Sequence, residues 1–131
     1  MKLLLDTQVF LWFISSDKRL PDHWRDAIRD PTSAVYLSVA SVWEAVVKQQ
    51  LGKLPLPDPA ETFLPEERDK HRISTLPIEE QALLHLAALP PLHRDPFDRM
   101  LISQALQPDL TMQTVDQAIK AYPVKVMSST G

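Results

Sequence analysis

The stretch His93–Met100 reads HRDPFDRM, with Asp95 and Asp98 three residues apart and Pro96 between them. Aspartate followed by proline is a helix-start signature. The carboxylate caps free backbone N–H groups, and proline takes the first helical position, where no N–H is needed. Asp98 then falls at the third helical position, where an acid suits the helix dipole and can complete a capping box. The same position aims a carboxylate out of the helix tip, where it could hold a cation. Three other acids stand at comparable places: Asp6 directly after Leu3-Leu4-Leu5, Glu44 inside SVWEAVV, and Asp116 after LTMQTV. Each also has a structural reading. Asp6 could cap a helix starting at Thr7, Glu44 could be an exposed acid paired with Lys48 at i+4, and Thr114 or Asp116 could cap a short helix.

The elements around these acids decide how close they come. Lys2–Leu5 is a short apolar run expected to be a central strand, and Thr7–Ile14 reads as the helix after it. A helix is expected from Asp22 to Ile28 and a strand at Ala34–Leu37. Apolar positions from Val39 to Leu51 recur at helical spacing until Gly52. Lys53–Pro59 is a proline-rich loop, followed by a helix over Pro59–Lys70 that Pro65 could break. A strand at Arg72–Leu76, helices at Pro77–Ala88 and Pro96–Leu106, a strand at Leu110–Gln113, a short helix at Gln117–Ala121 and a strand at Val124–Met127 complete the chain. Strands separated by helices, the first one apolar throughout, predict a single α/β domain over residues 1–131 with a parallel sheet.

In such sheets ligands bind beyond the carboxyl ends of the strands. Asp6, Glu44, Asp98 and Asp116 each fall at a strand end or on a helix that starts from one, so they are expected to converge. Four carboxylates in one place need cations between them. An all-oxygen donor set suits Mg²⁺ or Mn²⁺, a combination fitted to hydrolysis of phosphodiesters.

Other chemistries fail on particular residues. A phosphatase with an aspartyl nucleophile needs a second aspartate two residues after Asp6, where Gln8 stands. A phospho-receiver domain needs an acid after the second strand, where Ser38 and Val39 stand. Glycine occurs only at 52 and 131, which excludes a glycine-rich phosphate loop, and no serine lies in a G-x-S-x-G elbow. His23, His71, His85 and His93 show no tight metal-ligand spacing and read as structural or exposed. The absence of cysteine excludes disulfides and thiolate sites and suits a reducing cytoplasm. A formal net charge of −3 argues against a broad basic surface, so a nucleic acid would be met locally or through bound cations. Asp6 interrupts the apolar N-terminus, which reads as a buried strand rather than a leader, and no stretch has the roughly 18 apolar residues of a membrane span.

LLLDTQVFLW, SVASVWEAVVKQQLGKLPLP, HRDPFDRMLISQAL and LTMQTVDQAIKAYPVKVM, in this order and spacing, resemble the PIN-domain ribonucleases, and within them the VapC-like branch of bacterial toxin–antitoxin systems. The resemblance implies a PIN-like three-layer α/β/α sandwich with four to five parallel strands, often assembled as a homodimer. It implies a Mg²⁺- or Mn²⁺-dependent endoribonuclease acting on RNA and neutralised by a small antitoxin protein. By motif, Asp6, Glu44, Asp98 and Asp116 match the family's acidic quartet, with Asp6 and Asp98 as direct metal ligands. Thr114 matches the hydroxyl that places the last acid, Thr7 is expected to support Asp6, and Asp95 is an added acid of this branch. Lys48, Arg94 and Arg99 flank the quartet and could meet RNA phosphates, or serve as solvated surface and ion pairs. Gln8 stands where this branch is expected to carry histidine, and Gln113 and Val115 depart from its usual last-strand pattern. The alternative is a PIN-fold binding or regulatory module without catalysis.

Overall fold

The computed structural model describes residues 1–106 and 110–130. Among these residues, five strands, β1 (Lys2–Leu5), β2 (Ala34–Ser38), β3 (Ser74–Leu76), β4 (Leu110–Gln113) and β5 (Lys125–Val126), form one sheet in the order β3-β2-β1-β4-β5. Every pairing is parallel, and Leu5 at the end of β1 lies level with Leu37 of β2 and Gln113 of β4. The chain first moves outward from β1 through β2 to β3, then returns to the other side of β1 to lay down β4 and β5. The reversal falls between β1 and β4, where a crevice opens beyond the strand ends.

Among the described residues, six α-helices cover the sheet: α1 (Thr7–Ile14), α2 (Asp22–Arg29), α3 (Val39–Gln50), α4 (Ala60–Lys70), α5 (Glu80–Ala88) and α6 (Pro96–Ala105). The pleat of β1 sorts them into layers, since alternate side chains point to opposite faces. Leu3 and Leu5 pack with Phe10, Trp24 and Leu64 on one face, while Leu4 packs with Met112, Leu101 and Ile102 on the other. Helix α3 joins both cores, through Ala45 to the first and Ala40 to the second. The sandwich and the parallel sheet are those expected from the sequence.

The differences lie at element ends. Helices α1, α3 and α4 close in the same way, through one residue in the left-handed region: Ser16 (φ 54°), Gly52 (φ 70°) and Arg72 (φ 58°). In each, the next N–H reaches back to the last turn: Asp17 to Trp12, Lys53 to Lys48 and Ile73 to Arg68, all at 2.9 Å. Closing α4 consumes residues 71–73, so β3 begins at Ser74 rather than Arg72. Pro65 sits inside α4 without breaking it; the carbonyl it leaves without a partner belongs to the exposed Glu61, which water can serve. Helix α5 starts at Glu80 rather than Pro77, the Gln117–Ala121 segment holds a single 3₁₀ turn at Ile119–Ala121, and β5 has two residues.

Candidate functional site

Asp6, Glu44, Asp98 and Asp116 line one cavity of about 170 Å³, with Lys48 and Asp95 in its wall. The cavity lies at the strand-order reversal. Asp6 follows β1 and its N–H bonds the Gln113 carbonyl of β4 at 3.1 Å; Asp116 follows β4. A larger hollow of about 230 Å³ beside Lys2, Tyr36 and Glu79 is lined, among the described residues, by a single acid, so size does not mark the chemistry.

The side chains are held from several elements. Asp6 caps α1 by accepting the Val9 N–H on Oδ1 at 2.7 Å, and the buried Thr114 hydroxyl is its other partner. Thr114 Oγ1 also accepts the Asp116 N–H at 3.1 Å, so one hydroxyl ties the ends of β1 and β4 together. Glu44 is buried, not surface, and the two oxygens of its carboxylate have different partners. Oε1 accepts the Thr7 hydroxyl at 2.7 Å, and Oε2 pairs with Lys48 on the next turn. Thr7 therefore steadies Glu44, with Ser41 Oγ 2.9 Å away, instead of supporting Asp6 as expected. The turn that begins α1 aims Asp6 toward β4 and Thr7 toward α3. Asp95 caps α6, its Oδ1 accepting N–H groups from Phe97 at 2.8 Å and Asp98 at 3.2 Å. Trp43 and Phe97, each one residue before a site acid, pack edge to face at 4.8 Å and bridge α3 and α6.

His93, whose spacing reads as structural or exposed, reaches the acids of the cavity. Its Nε2 lies 2.9 Å from Asp98 Oδ2 and 3.2 Å from Asp116 Oδ2, and its side chain is largely buried. No metal-like spacing announces it, because its partners lie five and 23 residues away. Arg99, open from its sequence position to phosphate contact, solvated surface or ion pairing, turns its Nη1 to the carbonyls of Pro90 at 3.1 Å and His93 at 3.5 Å. Arg94 is exposed, and Lys48 keeps 44% of its side chain exposed while paired to Glu44.

Electrostatics reflect too many acids in too small a space. Burial pushes the Asp6 carboxyl up to about 6, the charges of Glu44 and Asp116 add to this, and the Thr114 and Val9 bonds oppose it. Asp98 is pushed up to about 7, first by burial and then by the charges of Asp95 and Glu44, against the pull of His93. Lys48 is held above its ordinary value, mainly by its bond to Glu44. Lys48 and His93 do not offset five carboxylates, and the deficit is one a divalent cation would fill. The oxygen-dominated donor set fits a hard cation such as Mg²⁺ or Mn²⁺.

The PIN domain family profile matches residues 3–125. The chain is 31% identical over 64 residues to ribonuclease VapC16 of Mycobacterium tuberculosis (strain ATCC 25618 / H37Rv), an alignment covering 49% of this chain and 45% of that one. It thus spans less than half the length of that curated relative. Among solved structures, VapBC2 from Rickettsia felis bound to a promoter DNA fragment superposes with a TM-score of 0.69 at 13% identity, covering 97% of this chain and 98% of that one. FitAcB from Neisseria gonorrhoeae gives 0.63 at 23% identity over 97% of each chain, and VapBC-1 from nontypeable Haemophilus influenzae gives 0.65 at 17% over 100% of each. These three likenesses bear on the fold, and the fold agrees with the sequence match. With a family profile spanning nearly the whole chain and an acidic cavity at the end of a parallel sheet, the chain belongs to the PIN domain family.

Proposed function

We propose that this chain is a Mg²⁺- or Mn²⁺-dependent endoribonuclease that hydrolyses RNA phosphodiester bonds and acts as the toxin of a toxin–antitoxin pair. The observation carrying this reading is the convergence of Asp6, Glu44, Asp98 and Asp116 on one cavity at the strand-order reversal. Asp6 and Asp98 are assigned as direct ligands from their match to the family's motif, and both line the cavity. Glu44 and Asp116 complete the set. A bound divalent cation supplies an activated water and neutralises charge on the leaving oxygen.

The remaining steps belong to the chain's own residues. The acids hold cations and do not attack phosphorus. Thr7 and Lys48 immobilise Glu44 from both oxygens, Thr114 orients Asp6 and the backbone of Asp116, and Asp95 fixes the end of α6 from which Asp98 projects. Lys48 and the exposed Arg94 are the cations placed to meet RNA phosphates, while Arg99 serves the loop behind them. Attack by water leaves a 5′-phosphate and a 3′-hydroxyl.

The proposed partner is a small antitoxin protein, and the proposed assembly is a homodimer of single domains. Leu83 and Leu84 on α5 are 48% and 67% exposed, apolar surface that association would cover. The similarity to solved VapBC assemblies supports the same reading. A cytoplasmic location goes with it, where RNA and reducing conditions suit a chain without cysteine. Among the described residues, no helix is long and apolar enough to cross a membrane.

The test is cleavage of RNA by the purified protein in Mg²⁺, Mn²⁺ or EDTA, beside Asp6→Ala and Asp98→Ala. Cleavage with either cation and none in EDTA or the variants is expected. Activity that survives EDTA or either substitution contradicts the mechanism.

A further inference from the structure

His93 reaches the cavity from a loop that is clamped to the body of the protein. The Tyr122 hydroxyl, on a buried ring, accepts N–H groups from Leu92 at 3.1 Å and His93 at 2.9 Å and donates to the Pro90 carbonyl at 2.9 Å. Arg99 grips the same loop at Pro90 and His93. The imidazole is thus delivered on a fixed backbone, with Nε2 against one oxygen each of Asp98 and Asp116. Its other nitrogen, Nδ1, faces the Asp95 N–H at 3.5 Å. An N–H pointing at Nδ1 favours the tautomer with Nδ1 bare and the proton on Nε2. That proton lies between two carboxylates, and an Nε2 that carries it has no lone pair to offer a cation.

We infer that His93 is a positioning residue of the metal site: its imidazole N–H holds Asp98 and Asp116 at the spacing a shared divalent cation requires, without binding the cation itself. The inference rests on the metal reading proposed above and deepens it. His93 Nε2 and the two carboxylate oxygens lie within 4.8 Å of one another, close enough for direct capture of an ion by all three. The chemistry of the cation separates the two roles. A nitrogen ligand favours Mn²⁺ over Mg²⁺, whereas an N–H that only orients carboxylates serves both cations alike.

The experiment is calorimetric titration of Mg²⁺ and Mn²⁺ into the full chain and into His93→Ala, His93→Gln and Tyr122→Phe. Loss of an orienting partner weakens metal affinity by roughly 10–100-fold. His93→Ala is expected to weaken both cations to that degree with their affinity ratio unchanged. His93→Gln, which keeps an N–H donor, is expected to recover part of the loss. Tyr122→Phe releases the loop without touching the cavity and is expected to weaken both cations by a smaller factor, a second reading if His93→Ala does not fold. A loss confined to Mn²⁺ makes the imidazole a ligand and overturns the inference. Unchanged affinities in His93→Ala, with wild type binding both cations, overturn it while leaving the metal reading standing. Wild-type protein that binds neither cation removes both.

Discussion

Helices α1 and α6 both start at the cavity, and they divide the same work differently. At α1 a single residue caps the helix and faces the cavity: Asp6 accepts the Val9 N–H at 2.7 Å while its carboxylate lines the cavity. At α6 the tasks are separated. Asp95 takes the capping bonds, and Asp98, three residues on, turns to His93 and the cavity. The sheet explains the contrast. Asp6 is pinned by β1 and bonded to β4 through its own N–H, so its carboxylate has little choice of direction. Helix α6 enters from a loop with no strand behind it, and a dedicated cap sets the angle of its first turn. One helix start therefore places the cap and the cavity-lining group in a single carboxylate, while the other gives the capping bonds to Asp95 and the contact with His93 to Asp98.

The largest effect that sharpens this contrast is expected at Asp6. Asp6→Asn keeps a capping side chain and removes the charge, so RNA cleavage should fall by about a thousandfold. The same change should stabilise the metal-free fold at pH 7. The Asp6 carboxyl is raised from 3.8 to about 6 in the folded chain, so between those values the native state binds more protons than the unfolded state. Stability then falls as pH rises through that window. A neutral amide escapes the loss, which is on the order of 2–3 kcal/mol. Thermal melting in EDTA reads it, and a lower melting temperature for Asp6→Asn would contradict the account.

The pH dependence of the wild-type protein in EDTA reads both acids at once. Asp98 is raised in the same direction, to about 7, so the two acids together should make the metal-free protein more stable as pH falls from about 7 toward 4. Melting curves of Asp98→Asn should show a shallower rise over the upper part of that range. An equal slope in wild type and variant would break the assignment of Asp98 as a strongly opposed carboxylate. The smallest effect belongs to the cap alone. Asp95→Ala should lose about 1 kcal/mol of stability, seen as a fall of a few degrees in melting temperature, with Asp95→Asn losing much less.

How much of this was written in the sequence follows from how local each feature is. The apolar Leu3-Leu4-Leu5, the Asp95-Pro96 start and the periodicity of α3 are local, and β1, α6 and α3 lie where they were expected. The convergence of the four acids on one cavity was legible because strand ends in a parallel sheet share one edge. His93 was not, because its place in the cavity is set by the Tyr122 hydroxyl, 29 residues along the chain. Thr7 bonds Glu44 rather than Asp6, because the packing of α1 on α3 brings its hydroxyl there. The ends of α1 and α4 were hidden for another reason: Ser16 and Arg72 adopt the left-handed conformation without the glycine that announces it at position 52.

The most direct test of the division of labour at α6 is to measure RNA cleavage by Asp95→Asn and Asp98→Asn side by side, with saturating Mn²⁺. Asparagine still caps at position 95, so that variant should keep much of the wild-type rate, while Asp98→Asn should lose nearly all of it. Equal losses in the two variants would make Asp95 a cation-binding residue and contradict the separation of cap from ligand.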